Sequence, residues 1–564
     1  MCLCRFRWAV CQLAMLRRCL PAAIRQALDN LPEGLDKTYD RMLLNICRER
    51  REYARRLFQC MAVSIRPLRV DELAGVFAIE FDASALPSYD VTCQPEDSEE
   101  ALLSTCSSLI TVVKVEGSPV VQFSHFSVKE YLTSERLENA EKALSYYHIR
   151  PMSAHTTLAQ ASLSVLLTLN EEVDKNSMKM FPFAIYAAQH WVVHAQFENV
   201  SSSIEDAMGR LFDPIEPHFA VWVWIYDIDH QFRGIMSEAR PTQPEAVPLY
   251  YATLCGFRNL VERLIVAFPQ NIDAGGGYYG TPLHAALAKG YVDIALLLLR
   301  HCANVNALNE EGITPLHKAC KRGLSDIVVW LLKHHANVDA RDKNGDTPLL
   351  MASDAGERGI VEVLLDHGAH LDSRNKIGWT PLMSASQNGH PDIVELLLQR
   401  GATVDSSDDD GWTALTPAAR HGHANVVDRL LNHGAAVNSS DKDGWTPLMS
   451  ASQNGNLNVV EVLLQNGAVV DPRDNGGWTP LMSASRNGHL QVVRLLLRNG
   501  AAVDSRSNEG WTPLMSASEQ GHLDIVQELL QSGASMGLRS HDGVASFGSA
   551  LRFNGRKFTP LTRI

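Results

Sequence analysis

"GWTPLMSASQNGH" fills Gly378 to His390, and "GWTPLMSASQNGN" fills Gly444 to Asn456. Only the last letter differs. Threonines in the same setting stand at Thr281, Thr314, Thr347, Thr380, Thr413, Thr446, Thr479 and Thr512, each 33 residues after the one before. A fixed period of this size marks a chain made by stacking one supersecondary unit on itself. Six of the eight continue as Thr-Pro-Leu plus Met or His. Thr347 opens "TPLLMAS" and Thr413 opens "TALTPAA".

Each unit reads as two helices. Thr suits the cap of the first, and Pro follows in the first turn, where its missing N–H costs nothing. Leu, Met and Ala give a short apolar stripe, and the glycine of "NGH" or "HGH" ends it in a left-handed cap. "DIVELLLQ" is apolar at i, i+1, i+4 and i+5, which predicts the second helix. "GA" closes that helix, and the polar "VDSRNKIGW" suits a projecting turn or hairpin. One such pair cannot bury its apolar face, whereas stacked copies can.

The unit resembles the ankyrin repeat. It shares the 33-residue period, the TPLH opening (intact at His284 and His317) and a GHxxIVxLLLxxGAxVD second half. Eight units fit over 281–537, and "PLYYATLCGFRNLVERLI" (Pro248 to Ile265) is similar to a worn first copy. Asp542 and Gly543 keep the register, but "VASFGSALRFNGRKF" leaves it with no polar capping repeat.

In that family the tips and the concave helix face hold partner proteins, which implies a protein ligand here. Trp379, Trp412, Trp445, Trp478 and Trp511 recur just before the capping Thr and form a ladder close to the tips. The indoles serve either as binding anchors, giving large area at low entropy cost, or as stiffeners packed over Arg374 or Arg473. The ends of the first helices vary: Gln387 and Asn388, Arg420 and His421, Gln453 and Asn454, Arg486 and Asn487, Glu519 and Gln520. The tips vary too: Lys376/Ile377, Asp409/Asp410, Lys442/Asp443, Asn475/Gly476 and Asn508/Glu509. Contact with a partner and a solvated face both fit this variation.

Other motifs carry less. "AGGGYYGT" (Ala274 to Thr281) lacks the Lys of a phosphate-binding GxxxxGK[ST] loop and falls in a repeat tip. His390, His423, His489 and His522 recur singly at one position, as caps and not as metal ligands. No GxSxG, no HExxH and no Cys–His constellation is present, so no catalytic, metal or cofactor residue is expected and the chain reads as non-enzymatic.

The totals agree with a soluble protein. Length alone, 564 residues, suggests three or four domains. The net charge is -13, with about +6 concentrated in residues 1–60. An acidic body argues against a general nucleic-acid binder. The 11 cysteines form no CxxC pair and read as reduced thiols of a cytoplasmic protein. No stretch of about 18 apolar residues offers a membrane span.

Ahead of the repeats, "LPAAIRQALDNLPEGLDKTYDRMLLNI", "REYARRLFQCMAV", "LRVDELAGVFAI" and "SEEALLSTCSSL" read as helices. "LITVVKV", "EGSP" and "VVQFSHFSV" read as strand, turn and strand, and "FSVKEYL" as a short helix. Three helices and a two-stranded wing form a winged-helix pattern. DNA binding is the rival use, but the would-be recognition helix opens with Glu96, Asp97, Glu99 and Glu100, which face phosphates badly.

"FRWAVCQLAMLRRCLPAAIRQALDNLPEGLDKTYDRML", "RPLRVDELAGVFAIEFD" and "FSHFSVKEYLTSERL" resemble the region behind the nucleotide-binding NACHT module of fungal NACHT–ankyrin proteins, members of the STAND class. "YHIRPMSAHTTLAQASL" and "YAAQHWVVHAQF" extend the likeness through a helical connector. The resemblance implies a winged helix that restrains an ATPase switch. Here the Walker A loop and Mg-binding acids are absent, so no residue inherits an ATPase role. The chain then reads as the regulatory and sensing half of such a receptor, from a truncated gene product or one whose start was placed late. Its basic N-terminal stretch either docks on an acidic neighbour such as a NACHT module or is a helix that lost its cover.

The expected architecture is mainly α, an ankyrin solenoid preceded by a helical and winged-helix region. It comprises a helical segment 1–50, a winged helix 51–145, a connector 146–246, repeats 247–537 and a degenerate tail 538–564. The expected function is a non-enzymatic interaction scaffold with a protein ligand on its concave face and tips.

Overall fold

The computed structural model describes residues 34–81, 87–115, 117–230 and 244–543. The basic residues 1–33 and most of the 538–564 tail lie outside the described residues. The chain divides into two units, 1–286 and 287–564.

In the first unit, α1 (Leu35–Leu44) and α2 (Arg51–Val63) precede α3 (Val70–Ala74) and α4 (Ser98–Cys106). β1 (Ile79–Glu80) and β2 (Ser88–Tyr89) form a two-residue antiparallel pair that the sequence did not announce. The wing is β3 (Ile110–Val115) against β4 (Ser118–Phe123), with Ile110 opposite Phe123 and Val115 opposite Ser118. The turn is therefore shorter than "EGSP", because Ser118 and Pro119 already belong to β4. Arg69 bridges to Val120 and adds a third strip to the wing. α5 (Phe126–Leu132) follows, its start capped by the His125 ring. Leu57, Phe58, Leu73, Leu102, Cys106 and Val128 form the core beneath the wing. Glu96, Asp97, Glu99 and Glu100 are all exposed around the start of α4.

The connector is carried by α6 (Pro151–Thr168) and α7 (Ala184–Ala195). A polar chain ties it to the winged helix. Glu72 is fully buried and takes both Arg66 terminal nitrogens at 2.7 Å, plus the Arg69 N–H at 2.8 Å. Arg66 stacks over Tyr186, whose hydroxyl meets the Ile65 N–H at 3.1 Å and His194 Nε2 at 3.1 Å. His194 Nδ1 in turn lies 2.9 Å from His155 Nδ1.

The worn repeat has its two helices, Pro248–Leu254 and Arg258–Ala267. Phe257 stacks on Trp191 of α7 with centroids 5.4 Å apart, and the Gln196 amide Nε2 donates to the Cys255 carbonyl at 2.7 Å. Its departures from the repeat pattern thus serve the connector. The "AGGGYYGT" loop turns two of its N–H groups to the protein itself: the Tyr278 N–H is held by the Asp229 carboxylate at 2.6 Å and the Tyr279 N–H by the Tyr250 hydroxyl at 3.2 Å. Gly276 is required, since a Cβ there would stand 2.0 Å from the Glu245 carbonyl.

The second unit repeats one motif. Thr314, Thr347, Thr380, Thr446, Thr479 and Thr512 each cap a first helix through the side-chain oxygen. Thr413 departs from the expected cap. "TALTPAA" moves its proline to position 417, the helix starts at Leu415, and the Thr413 hydroxyl pairs with Ser439 instead. In the second helices Ile393, Val394 and Leu397 are buried, as are Val459, Val460 and Leu463 in a later copy.

Three sets of bonds join each repeat to the next. Tip backbones form a ladder: Lys343 to Glu311, Lys376 to Asn344, Asp409 to Ile377, Lys442 to Asp410, Asn475 to Asp443, Asn508 to Gly476 and His541 to Glu509, at 2.8 to 3.1 Å. Asp339, Asp372, Asp405, Asp471 and Asp504 each accept a backbone N–H 31 residues on. The recurrent histidines occupy the cap position of the second helix, but their rings do not cap. His390, His423, His489 and His522 pair through Nε2 with carbonyls of the preceding repeat, at 2.9 to 3.1 Å. In the copy that ends "NGN", Asn456 Nδ2 makes the equivalent reach to the Ala419 and Arg420 carbonyls, both at 2.9 Å.

Candidate protein-interaction surface

The indole row is built by the hairpin that precedes each first helix. An acid or amide four residues earlier accepts the Trp backbone N–H: Asn375 for Trp379, Asp408 for Trp412, Asp441 for Trp445 and Asp474 for Trp478. Ser507 does the same for Trp511. All five indoles are half-buried, so each offers a face while its base is fixed by the tip.

The row is not uniform. Trp379 Nε1 donates to Asp408 of the next repeat at 3.1 Å, and Trp412 Nε1 to Asp441 at 3.0 Å. Among the described residues, Trp445 and Trp478 have no such acceptor for the indole N–H. The cations over the indoles differ from those expected. Arg420 lies over Trp412 and Arg486 over Trp478, each 5.3 Å from the ring centroid. Arg374 pairs instead with Asp409 at 3.6 Å, and Arg473 donates to the Arg506 carbonyl at 3.0 Å. Eight residues separate each Trp from its Arg, which brings a tip beside the end of its own first helix.

The helix-end residues divide into two kinds. Asn388, Asn454 and Asn487 donate to the carbonyl of Ser384, Ser450 and Ser483 in their own helices, which caps the helix end. Asn388 also reaches Asp354 of the preceding repeat at 2.8 Å. Gln387 and Gln453 lend their backbone carbonyls to His423 and His489. Gln387 is half-buried, whereas Arg420, Gln453, Arg486, Glu519 and Gln520 are exposed. Glu519 and Gln520 lie in the last described repeat and touch each other at 3.5 Å.

A cavity of about 300 Å³ brings five of these residues together, Trp445, Gln453, Trp478, Arg486 and Asn487, with Asp474 and Ser483 completing its lining. Asp474 and Ser483 were not singled out in the sequence. The signal for the acid was its fixed place four residues before the tryptophan.

Among the described residues no group of three or more His, Cys, Asp or Glu is placed to hold a metal ion. No described helix is long and apolar enough to cross a membrane. Cys60, Cys106, Cys255 and Cys320 are buried, and burial pushes the Cys60 thiol up to about 12.

With this geometry the comparisons with known proteins agree. The model of "GPI inositol-deacylase, winged helix domain" matches residues 39–145. A curated relative, "Azaphilone pigments biosynthesis cluster protein L" of Monascus ruber, is 32% identical over 294 residues, covering 49% of this chain and 61% of that protein. The chain therefore spans about three-fifths of the length of the curated relative it matches. The family model for ankyrin repeats (3 copies) matches 249–342, 325–408, 400–474 and 467–540, together more than half of the chain, which belongs to the ankyrin-repeat family.

Proposed function

We propose that the chain is a non-enzymatic, cytoplasmic interaction protein. Its repeats hold a protein ligand on the indole row and the adjoining helix ends, and its winged-helix region regulates an NLR-like switch of the fungal NACHT–ankyrin kind. One observation carries the reading: the side chains of Trp445, Gln453, Trp478 and Arg486, none of which makes a hydrogen bond to a neighbouring repeat among the described residues, line one cavity. The polar chain from Glu72 through Arg66 and Tyr186 to His194 supports a winged helix firmly coupled to its connector. The exposed acids at the start of α4 disfavour a DNA-reading role. The relative is named for a pigment biosynthesis cluster; by analogy this chain would serve such a pathway as a regulator or scaffold, with ATP hydrolysis supplied by a NACHT module.

The test is quantitative affinity purification of the chain and of its Trp445→Ala/Trp478→Ala variant. Loss of a defined set of proteins at unchanged thermal stability supports the reading. Equal loss of stability and binding shows that the row is structural. A Mg-dependent thermal shift with ATP would overturn the non-enzymatic assignment.

A further inference from the structure

Three arginines at the second helices of the stack are paired. Arg400 meets Asp366 at 2.9 Å, Arg429 meets Glu395 at 3.1 Å and Arg494 meets Glu528 at 2.8 Å. Arg420 and Arg486, at first-helix ends two repeats apart, differ. Each is exposed and sits over the indole of its own repeat, 5.3 Å from the ring centroid, and neither guanidinium has a hydrogen-bond or ion-pair partner among the described residues. A guanidinium stacked on a ring still presents its five N–H groups at its edge, a fork that matches a carboxylate.

The cavity beside Arg486 has the same bias. Its lining includes Arg486 and Trp445, whose indole N–H has no acceptor among the described residues, with Gln453 alongside and the Asn487 amide already donating to the Ser483 carbonyl. Asp474 is the one carboxylate there, and its Oδ1 already takes the Trp478 N–H at 2.7 Å. Elsewhere along the helix ends, Lys321 and Arg322 are exposed and basic. Of the two acids, Asp354 is engaged by Ser384 and Asn388, and Glu519 lies one repeat beyond Arg486. On the other side of the indoles the tips are of mixed charge: Asp409, Asp410 and Asp443 are exposed, but so are Lys376 and Lys442, and Asp409 is paired with Arg374 at 3.6 Å, so the tips offer no uniformly basic edge to compete with the helix-end side.

We propose that this face takes an acidic peptide segment, with carboxylates paired to Arg420 and Arg486 and intervening residues laid across the indoles. The inference rests on the reading of this surface as a protein-binding one, and it names the partner's chemistry. Packed helices stand about 8–10 Å apart, so two repeats separate the guanidiniums by about 16–20 Å. An extended chain covers that in about five or six residues.

The test uses the full chain and fluorescein-labelled Gly/Ser peptides carrying two Glu-Glu pairs at varied separation, read by anisotropy in about 50 mM salt. Matched peptides with Lys in place of Glu run in parallel. The tightest binding is expected at a separation of about five or six residues. Arg420→Glu and Arg486→Glu should each weaken it about tenfold, while Arg498→Glu, on the exposed side of a second helix, makes the same charge change with less than about a twofold effect. No measurable Glu-peptide binding, equal loss in Arg498→Glu, or preference for the Lys peptide overturns the proposal. If the Glu peptides fail while Trp445→Ala/Trp478→Ala still strips proteins from the purified chain, only the acidic-partner inference falls. If that variant strips none, the interaction reading falls as well.

Discussion

Replacing His489 tests whether repeats are joined by a side-chain donor or by ring packing. His489 Nε2 pairs with the Gln453 carbonyl at 3.0 Å. Gln453 ends its helix, and the last carbonyls of a helix have no partner inside it. The ring also presses on Gly455, where a Cβ would come within 2.4 Å of it. A net hydrogen bond contributes about 1 kcal/mol, and toward the lower part of that range where, as here, the ring is half-exposed and water can replace it. His489→Ala should therefore cost about 1 kcal/mol at the junction between the Thr446 and Thr479 repeats. His489→Asn should cost less than half as much, because Asn456 already makes the equivalent contact one repeat earlier. Native-state hydrogen exchange reads this locally. Amides of the helices Leu457–Gln465 and Leu490–Arg498 should exchange about fivefold faster in the Ala variant and less than about threefold faster in the Asn variant. Equal acceleration in both would refute the donor argument and assign the junction to the ring alone.

Three further outcomes follow from the same contacts. Trp379→Phe should lower stability by about 1 kcal/mol through loss of the bond to Asp408, whereas Trp445→Phe, with no indole acceptor, should leave the urea midpoint unchanged. Burial opposes ionisation of Glu72, but the Arg66 hydrogen bonds, the Arg69 N–H and the two guanidinium charges outweigh it and hold its pKa below the usual value. Its contribution is thus present above the unfolded carboxylate range near pH 4.5 and fades as pH falls through the folded value; Glu72→Gln should flatten that acid limb of a stability–pH curve. Burial, then His155 and His190, push His194 down to about 3 from 6.5. The unfolded chain therefore binds the proton first, and stability should fall by up to about 1.4 kcal/mol per pH unit below pH 6.5, a slope that His194→Phe reduces in urea titrations.

What could be read from the sequence was whatever one repeat decides for itself. Thr caps, first-turn prolines, left-handed glycines and the apolar pattern of the second helix act within a few residues, and apart from the cap and proline of the Thr413 repeat they stand where expected. The partners of the side chains were not legible in the same way, because they belong to the next copy. Trp379 finds Asp408 at 29 residues, Asp372 finds the Thr403 N–H at 31, and His423 finds the Gln387 carbonyl at 36. No reading of a single unit contains those pairs. The small elements escaped for a different reason: β1, β2 and the Arg69 strip span one or two residues, too few to show an alternating pattern.

The near-identity of copies also follows from where the bonds go. A change at Asp405, His423 or Gly455 disturbs the neighbouring repeat as well as its own, so each such letter answers to two repeats. The side chains of Arg420, Gln453 and Glu519 answer to none across a junction. Substitution there leaves the stack intact, which is why these ends differ among otherwise matching copies. A surface made of such positions can vary at little cost to the fold. The indoles stand between the two classes: held at the backbone by their own tip, latched to the next acid at Trp379 and Trp412, and unlatched at Trp445 and Trp478 beside the cavity. Rigid support under an unlatched aromatic pair is the arrangement that presents binding area with little ordering entropy left to lose.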